Sequence, residues 1–204
     1  MAYTARKTKF KNVVHMMLLT AVMTAGGHAL FTTSKSVWAE DGDAGEITKE
    51  RLDAFYERSV AAQMTGEKEI LAFADKHLHK DFESVMHVTS KIEGAPTQKE
   101  TTVLTKFEYL RDIKKAYKIS TVEELKSGIV SYDIAKDGRS AKIKDRTYTM
   151  VSIPLGAGQG QSEVYNLRQF INCDSFYTLS ETDVLLLKSS TCEIEGQMSK
   201  AQNL

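Results

Sequence analysis

The chain has 204 residues, 42% of them hydrophobic, and only two prolines, which suits one folded domain with a core of its own. Its 27 basic and 27 acidic residues cancel. Five of the basic residues and none of the acidic ones precede Glu40, so the rest of the chain has 22 basic and 27 acidic residues. A net charge of −5 argues against a nucleic-acid partner, which needs a basic face for phosphates.

Residues 1–39 have the pattern of a secretory signal peptide. A basic start is followed by an uncharged, mostly apolar stretch at residues 13–31, and Val37-Trp38-Ala39 matches the small-x-small site that signal peptidase cleaves. Histidines and a glycine pair dilute this stretch, which makes a retained membrane anchor the weaker alternative. We expect cleavage before Glu40, release into the periplasm or the medium, and no stable membrane insertion afterwards.

Three helices are predicted after a flexible acidic lead-in at residues 40–46. Thr48 can cap the first helix, and apolar residues then recur at helical spacing from Leu52 to Met64. Thr65-Gly66 interrupts the pattern before a second helix that reaches Leu78. A third helix is expected from about residue 102 to residue 118, with an apolar stripe of Leu104, Phe107, Leu110, Ile113 and Tyr117.

The remaining segments alternate as strands do. Residues 82–92 read as a first strand, and residues 93–100 as a loop. Asp137-Gly138 is a two-residue hairpin signal that pairs Ile134 with Ala141, Tyr132 with Ile143, and Val130 with Asp145. This hairpin runs to about residue 153, and a glycine-rich loop follows at 156–160. Two further strands are predicted at residues 163–179 and 184–194.

The two cysteines of the chain, Cys173 and Cys192, predict a disulfide. Paired cysteines in a small exported domain are usually bonded, and these two are not a CxxC redox pair. A turn centred on Thr182-Asp183 places them directly opposite each other on the last hairpin. Cross-strand neighbours lie close to the separation that a disulfide needs.

The segments at residues 61–66 and 70–75, and the element order after them, resemble the nuclear transport factor 2-like, or SnoaL-like, superfamily. The resemblance implies an α+β fold over residues 47–197. Three N-terminal helices would pack on a strongly curved, mostly antiparallel sheet of about five to six strands, shaped like a cone with a pocket inside. Residues 198–204 are expected to form a disordered tail.

Enzymes of this superfamily, such as ketosteroid isomerase, use a tyrosine on the first helix, an acid after the second helix and a protonated acid on a late strand. The sequence match places Ser59 at the position of the helix tyrosine. It gives no clear counterpart of the first acid within residues 80–83. We therefore assign no catalytic residue.

Polar residues on otherwise apolar strand faces are candidates for the wall of a pocket. With Cys173 pointing inward, alternation places Gln169 and Tyr177 on the same face. On the preceding hairpin, Tyr132 and Asp145 share a face with Val130 and other apolar residues. These four and Tyr56 on the first helix are the candidate contacts for a small apolar or amphipathic ligand. For Asp145 itself, a solvated position near a strand end or bulge is the simpler interpretation.

No metal or cofactor site is expected. His77, His79 and His87 are the histidines considered for zinc, but His77 and His79 point to different sides of a helix, and no third ligand stands at a recognised spacing. The glycine-rich loop lacks the Lys-Ser/Thr pair of a phosphate loop. A basic cluster on the third helix is offset by two acids and is predicted to be a solvated face: Lys106, Arg111, Lys114, Lys115 and Lys118.

The outer face of the last hairpin predicts assembly. Phe170, Phe176, Leu185 and Leu187 would lie opposite the cysteines, where they form a homodimer interface or are covered by a terminal segment of the chain. The function predicted first is an exported, non-enzymatic domain that binds a small ligand inside the cone. The alternatives are an envelope protein-interaction module that uses its sheet face and an isomerase- or dehydratase-like enzyme.

Overall fold

The computed structural model describes residues 45–155 and 163–201, which contain three helices and six strands. In chain order these are α1 (Lys49–Thr65), α2 (Glu67–His77), β1 (Leu78–Ile92), β2 (Gln98–Thr105), α3 (Lys106–Ile119), β3 (Thr121–Ile134), β4 (Ser140–Leu155), β5 (Glu163–Leu179) and β6 (Leu185–Lys200). The predicted signal peptide and glycine-rich loop lie outside the described residues. Within the described ranges, no helix is long and apolar enough to cross a membrane.

The strands form one curved, unclosed sheet in the order β2-β1-β6-β5-β4-β3. Only β1 and β6 run parallel, and every other neighbouring pair is antiparallel. The helices pack on one face of this sheet through two groups of buried side chains. This arrangement confirms the predicted fold class, a curved α+β sheet with its core on the helical side.

The first two helices begin and end where the sequence predicts. The Thr48 hydroxyl accepts a hydrogen bond of 3.2 Å from the Arg51 amide and so caps α1. Gly66 separates α1 from α2 with a φ of 147°, a backbone conformation that residues with a Cβ rarely adopt. The second helix stops one residue short of Leu78, which begins β1.

The start of the third helix was predicted too early. Gln98–Thr105 is a strand that pairs with β1, and α3 begins only at Lys106. Threonine and valine favour the extended conformation here, and a capping box between Thr105 and Glu108 fixes the helix start. The core side of α3 is built from Tyr109, Ile113 and Ala116, with Leu110 and Tyr117 partly buried against the core. Of the predicted stripe, the place of Phe107 was wrong, since this side chain is 75% exposed.

Two β-bulges change which side chains point inward. In β3 the pairs Tyr132–Ile143 and Ile134–Ala141 are confirmed, but Ile129, not Val130, lies opposite Asp145. Val130 is the extra residue of a bulge and is exposed. An inserted residue reverses the facing of the residues beyond it, so the predicted place of Val130 on the inner face was wrong.

The second bulge lies in the last hairpin. Cys173 lies opposite Cys192 as predicted, and the two are disulfide-bonded. Lys188 is the extra residue of this bulge and shifts the register of β6. As a result, Leu187 pairs with Tyr177, and both side chains point inward. Leu185 is 1% exposed and Leu187 packs against both core groups, so neither can belong to the predicted outer interface.

The last strand is longer than expected. It runs to Lys200, and the Ala201 amide donates a hydrogen bond of 2.8 Å to the Val164 carbonyl oxygen. Residues 198–201 are therefore ordered against β5, which corrects the prediction that a disordered tail begins at residue 198. Residues 202–204 lie outside the described part of the chain.

Candidate ligand-binding site

A carboxyl group is buried on the inner face of the sheet, in the middle of β4. Asp145 is 3% exposed and lies between Ile129 on β3 and Cys173 on β5. The predicted solvated position is therefore wrong. A bulge is present, but it lies in the neighbouring strand and leaves the Asp145 side chain pointing toward the helices.

Three hydroxyl groups connect this carboxyl to α1 and β5. Tyr56 donates a hydrogen bond of 3.0 Å to Asp145 Oδ2, and the Ser175 hydroxyl donates one of 3.2 Å to the same oxygen. The Tyr177 hydroxyl donates in turn to the Tyr56 oxygen over 3.2 Å. The second carboxyl oxygen, Oδ1, is buried and has no hydrogen-bond partner among the described residues.

Burial controls the charge of this carboxyl group. It raises the pKa of Asp145 to about 7, although the hydrogen bonds from Tyr56 and Ser175 lower it and the nearby charge of Asp174 raises it slightly. A large part of the Asp145 population is therefore neutral at neutral pH. Because Oδ2 already accepts two hydrogen bonds, the proton of the neutral acid belongs on Oδ1.

The tyrosines around Asp145 remain neutral. Burial raises the pKa of Tyr56 well above its usual value, and electrostatic interactions with Tyr177 and Asp145 act in the same direction. Burial also raises the pKa of Tyr177 and of Tyr109, a residue of α3 that interacts electrostatically with Asp145. The phenol groups of the site are therefore uncharged and lie in an apolar surrounding.

Two of the predicted pocket residues lie away from this cluster. Tyr132 is half-buried and donates a hydrogen bond to the Asp53 carboxylate of α1, with the Lys49 ammonium 5.1 Å from the centre of its ring. Gln169 is buried on the inner face, but it lies opposite Thr149 and Gly196, four residues along β5 from Cys173. The structure therefore brings together Tyr56, Asp145 and Tyr177.

One member of the cluster was missed by the sequence analysis. Ser175 lies between Cys173 and Tyr177 on the inward-facing positions of β5. The alternation that selected those two residues also selects Ser175, so the signal was present in the sequence. A small hydroxyl residue did not stand out there as a functional group.

Ser59, at the position where the resemblance placed a tyrosine of the first helix, is buried. The tyrosine of α1 that contacts Asp145 is Tyr56, about one helical turn earlier. In residues 80–83, where no counterpart of an acid was assigned, Asp81 and Glu83 are both exposed.

A concave feature lies on the outer face of the sheet, opposite to the helices. It is an open groove of about 400 Å³ across β3, β4 and β5. Its polar and charged lining consists of Ser131, Asp133, Lys142, Lys144 and Asp174. Ser175 also borders the groove, although its hydroxyl points inward to Asp145. Phe176, one of the predicted interface residues, lies at the groove, and Phe170 packs against Tyr148 further along β5 with ring centres 5.2 Å apart.

The histidines considered as metal ligands make other contacts. His77 Nδ1 lies 2.9 Å from the Leu185 carbonyl oxygen, and His87 Nδ1 lies 3.0 Å from the Thr101 hydroxyl. Over residues 45–155 and 163–201, no group of three or more His, Cys, Asp or Glu side chains is placed to hold a metal ion.

Similarity to known proteins is visible in the fold and not in the sequence. No family model and no curated protein matches the chain. A nuclear transport factor 2-like protein of unknown function from Prochlorococcus sp. NATL2A matches 68% of this chain and 85% of its own, at 8% identity and a TM-score of 0.40. A ketosteroid isomerase-like protein from Erwinia carotovora atroseptica matches 67% and 82%, at 9% identity and a TM-score of 0.34.

A third similar structure is a LinA-type hexachlorocyclohexane dehydrochlorinase from Novosphingobium barchaimii LL02. It matches 71% of this chain and 86% of its own, at 11% identity and a TM-score of 0.34. At such identities the similarity concerns the fold alone. What those proteins bind or convert does not transfer to this chain.

Proposed function

We propose that this chain, which has the nuclear transport factor 2-like α+β fold, is an exported, non-enzymatic domain that binds a small amphipathic ligand at Asp145. The observation that carries the proposal is the buried Oδ1 oxygen, which lacks a hydrogen-bond partner among the described residues while Oδ2 has two. A buried polar atom left unpaired costs about 1–3 kcal/mol. A ligand that hydrogen-bonds to Oδ1 would remove this cost.

The surroundings of Asp145 indicate the chemistry of the ligand. The neutral acid presents an O–H donor at Oδ1, which suits an acceptor such as a carbonyl oxygen. The buried side chains next to the cluster are apolar or aromatic: Phe55, Tyr56, Ile143, Tyr177 and Leu185. A ligand with an apolar body and one acceptor oxygen fits both features.

Binding without catalysis is favoured by the placement of the other acids. When Asp145 is protonated and donates to the ligand, proton abstraction needs a separate base that faces the bound molecule. In the described part of the chain, the other buried carboxylate is Asp112, which is paired with Arg111 at 2.9 Å and with Lys115 at 3.3 Å. Because Asp112 is held in these ion pairs, it is not placed to act as a base.

Export is supported by two features of the chain. The first 39 residues have the signal-peptide pattern, and the Cys173–Cys192 disulfide suits an oxidising compartment. A ligand held by this domain would then be taken up outside the cytoplasm.

The proposal is tested by native mass spectrometry of protein purified from the cell that produces it. We expect a discrete small-molecule adduct on the wild type and on Asp145→Asn, since the amide can donate from the Oδ1 position. Asp145→Leu should lose the adduct, whereas the surface control Asp174→Leu should keep it. A wild type without an adduct, or an adduct that survives Asp145→Leu, contradicts the proposal.

A second candidate function is protein interaction through the outer face of the sheet. Phe170 is 49% exposed beside Tyr148, and the open groove next to Phe176 offers charges of both signs. An apolar patch within a polar surround is typical of non-obligate interfaces. The partner that we propose is a second copy of this chain.

A further inference from the structure

The solvent side of α3 carries a straight basic stripe that ends in an exposed phenylalanine. Phe107, Arg111, Lys114 and Lys118 follow one another at spacings of four, three and four residues, which places them on one line along the helix. All four are exposed, and the line is about 16 Å long. The opposite side of the helix is buried in the core.

The acids of α3 neutralise only part of this stripe, because Asp112 pairs with Arg111 but not with Lys114 or Lys118. Glu108 is held by the capping box at the helix start, where its carboxylate accepts hydrogen bonds from the Thr105 amide and hydroxyl. Asp112 is buried beneath the stripe and draws Arg111 and Lys115 toward it. With five basic and two acidic residues, α3 has a net charge of +3 in a chain that is acidic after residue 39.

The exposed phenylalanine is the second part of the surface. Phe107 is 75% exposed, more than the other large hydrophobic side chains of the described residues. A single exposed apolar side chain needs no explanation by itself. Here the ring lies at the end of a basic line, at the point where the chain leaves the edge strand β2.

We infer that this face of α3 docks on an anionic lipid surface. Arg111, Lys114 and Lys118 contact the phosphates of the headgroups, and the ring of Phe107 inserts just below them. A one-sided line of basic residues on the convex surface of a helix suits a flat partner better than a folded acidic protein. The inference stands apart from the ligand site at Asp145, which lies on the inner face of the sheet.

Vesicle sedimentation tests the electrostatic part of the inference. Each basic residue near an anionic surface changes binding by roughly fivefold, the equivalent of about 1 kcal/mol. We expect binding to vesicles containing phosphatidylglycerol but not to phosphatidylcholine vesicles, and at least a tenfold loss in Lys114→Gln/Lys118→Gln. The matched control is Lys142→Gln/Lys144→Gln on the outer face of the sheet, which should bind like the wild type.

All variants are compared with the same N-terminus, determined by mass spectrometry, so that any contribution of residues 1–39 cancels. Equal binding to both kinds of vesicle would overturn the inference. So would an equal loss in the control pair, because the effect would then reflect overall charge. A protein that binds no vesicle but binds an acidic protein would also overturn it.

A local probe tests the insertion of the phenylalanine ring. Trp38 is the only tryptophan of the chain and lies in the predicted signal peptide. In the variant Trp38→Phe/Phe107→Trp, fluorescence reports on position 107 alone. We expect a blue shift with phosphatidylglycerol vesicles and none with phosphatidylcholine vesicles. An unchanged emission spectrum with anionic vesicles would exclude insertion of this side chain.

Discussion

Tyr56 donates a hydrogen bond to Asp145 across 89 positions of the chain and so joins the first helix to the middle of the sheet. The same phenol oxygen accepts a hydrogen bond from Tyr177 on β5. One polar chain therefore links α1, β4 and β5 within the apolar core. Changes at Asp145 should consequently affect the stability of the fold as well as the proposed ligand site.

The first prediction concerns pH and Asp145. Its pKa is about 7 in the folded protein and near 3.9 in an unfolded chain, so the folded state binds more protons between these values. Stability should therefore fall as the pH rises from about 4 to 7, by roughly 4 kcal/mol in total. Asp145→Asn has no such charge, and should match the wild type near pH 4 but exceed it at pH 8. Urea unfolding followed by circular dichroism measures both profiles.

The control for this prediction is Glu193→Gln, which removes an exposed carboxylate from β6. That variant should keep the pH dependence of the wild type. If the stability of Asp145→Asn falls between pH 4 and 7 as steeply as that of the wild type, Asp145 does not carry the effect.

The second prediction concerns the different effects of Tyr56 and Tyr177 on the pKa of Asp145. The hydrogen bond from Tyr56 lowers the pKa of Asp145 against the larger effect of burial. Tyr56→Phe should therefore raise the pKa of Asp145 above about 7, and cost about 1 kcal/mol of stability. Tyr177→Phe, which removes a donor to Tyr56 and not to the acid, should move that pKa less. Carbon-13 NMR of the Asp145 carboxyl group measures both, and a larger shift in Tyr177→Phe would contradict the assigned hydrogen bonds.

The sequence is sufficient to predict most of the elements and the pairing next to the two hairpin turns, but not the strand β2 or the faces near the bulges. The bounds of β5 and the pairing of Cys173 with Cys192 follow from alternation and turn chemistry. The extra residues Val130 and Lys188 do not, because a bulge has no strong local signal and reverses every side chain beyond it. For this reason Leu185 and Leu187 were placed outside, although both point into the core.

The candidate site, too, can be predicted from the sequence only in part. Alternation predicts Asp145 and Tyr177 on one face of the sheet, and the helical spacing predicts Tyr56 on the apolar side of the first helix. That these three residues touch depends on how α1 crosses the sheet, which local patterns do not specify. The burial of Asp145 depends on the same crossing, so a solvated carboxylate was the simpler expectation from sequence.

The third prediction concerns the disulfide. Cys173 and Cys192 are 19 residues apart, and closing a loop of this size stabilises the fold by roughly 3 kcal/mol in the chain-entropy model. Cys173→Ala/Cys192→Ala should lower the free energy of unfolding by about that amount. Mass mapping without reductant should show the two peptides linked. Free thiols in protein taken from an oxidising compartment would contradict the bond.

The fourth prediction concerns export. If residues 1–39 are a signal peptide, the mature protein begins at Glu40 and is found in the soluble envelope or medium fraction. N-terminal sequencing of protein from the producing cell gives the result directly. Replacing Ala39 by a large residue, as in Ala39→Leu, should block processing. A membrane-bound protein that retains its leader would show that the segment is an anchor instead.

The last prediction is a homodimer through the outer face of the sheet, centred on Phe170 and Tyr148. Burying these two rings would contribute roughly 3–6 kcal/mol before the costs of association, which is enough for a weak dimer. Light scattering should give about twice the monomer mass at high micromolar concentration, and Phe170→Asp should give a folded monomer.

Two further variants decide whether the loss of the dimer in Phe170→Asp is specific. Phe107→Asp, also an exposed phenylalanine but on α3, should leave the dimer intact. Leu187→Asp places a charge against both core groups, so it should destabilise the fold instead of separating the subunits. A wild type that is monomeric at high micromolar concentration would assign the exposed ring of Phe170 to a different partner. A Phe107→Asp variant that also becomes monomeric would place the interface on the helical side of the molecule.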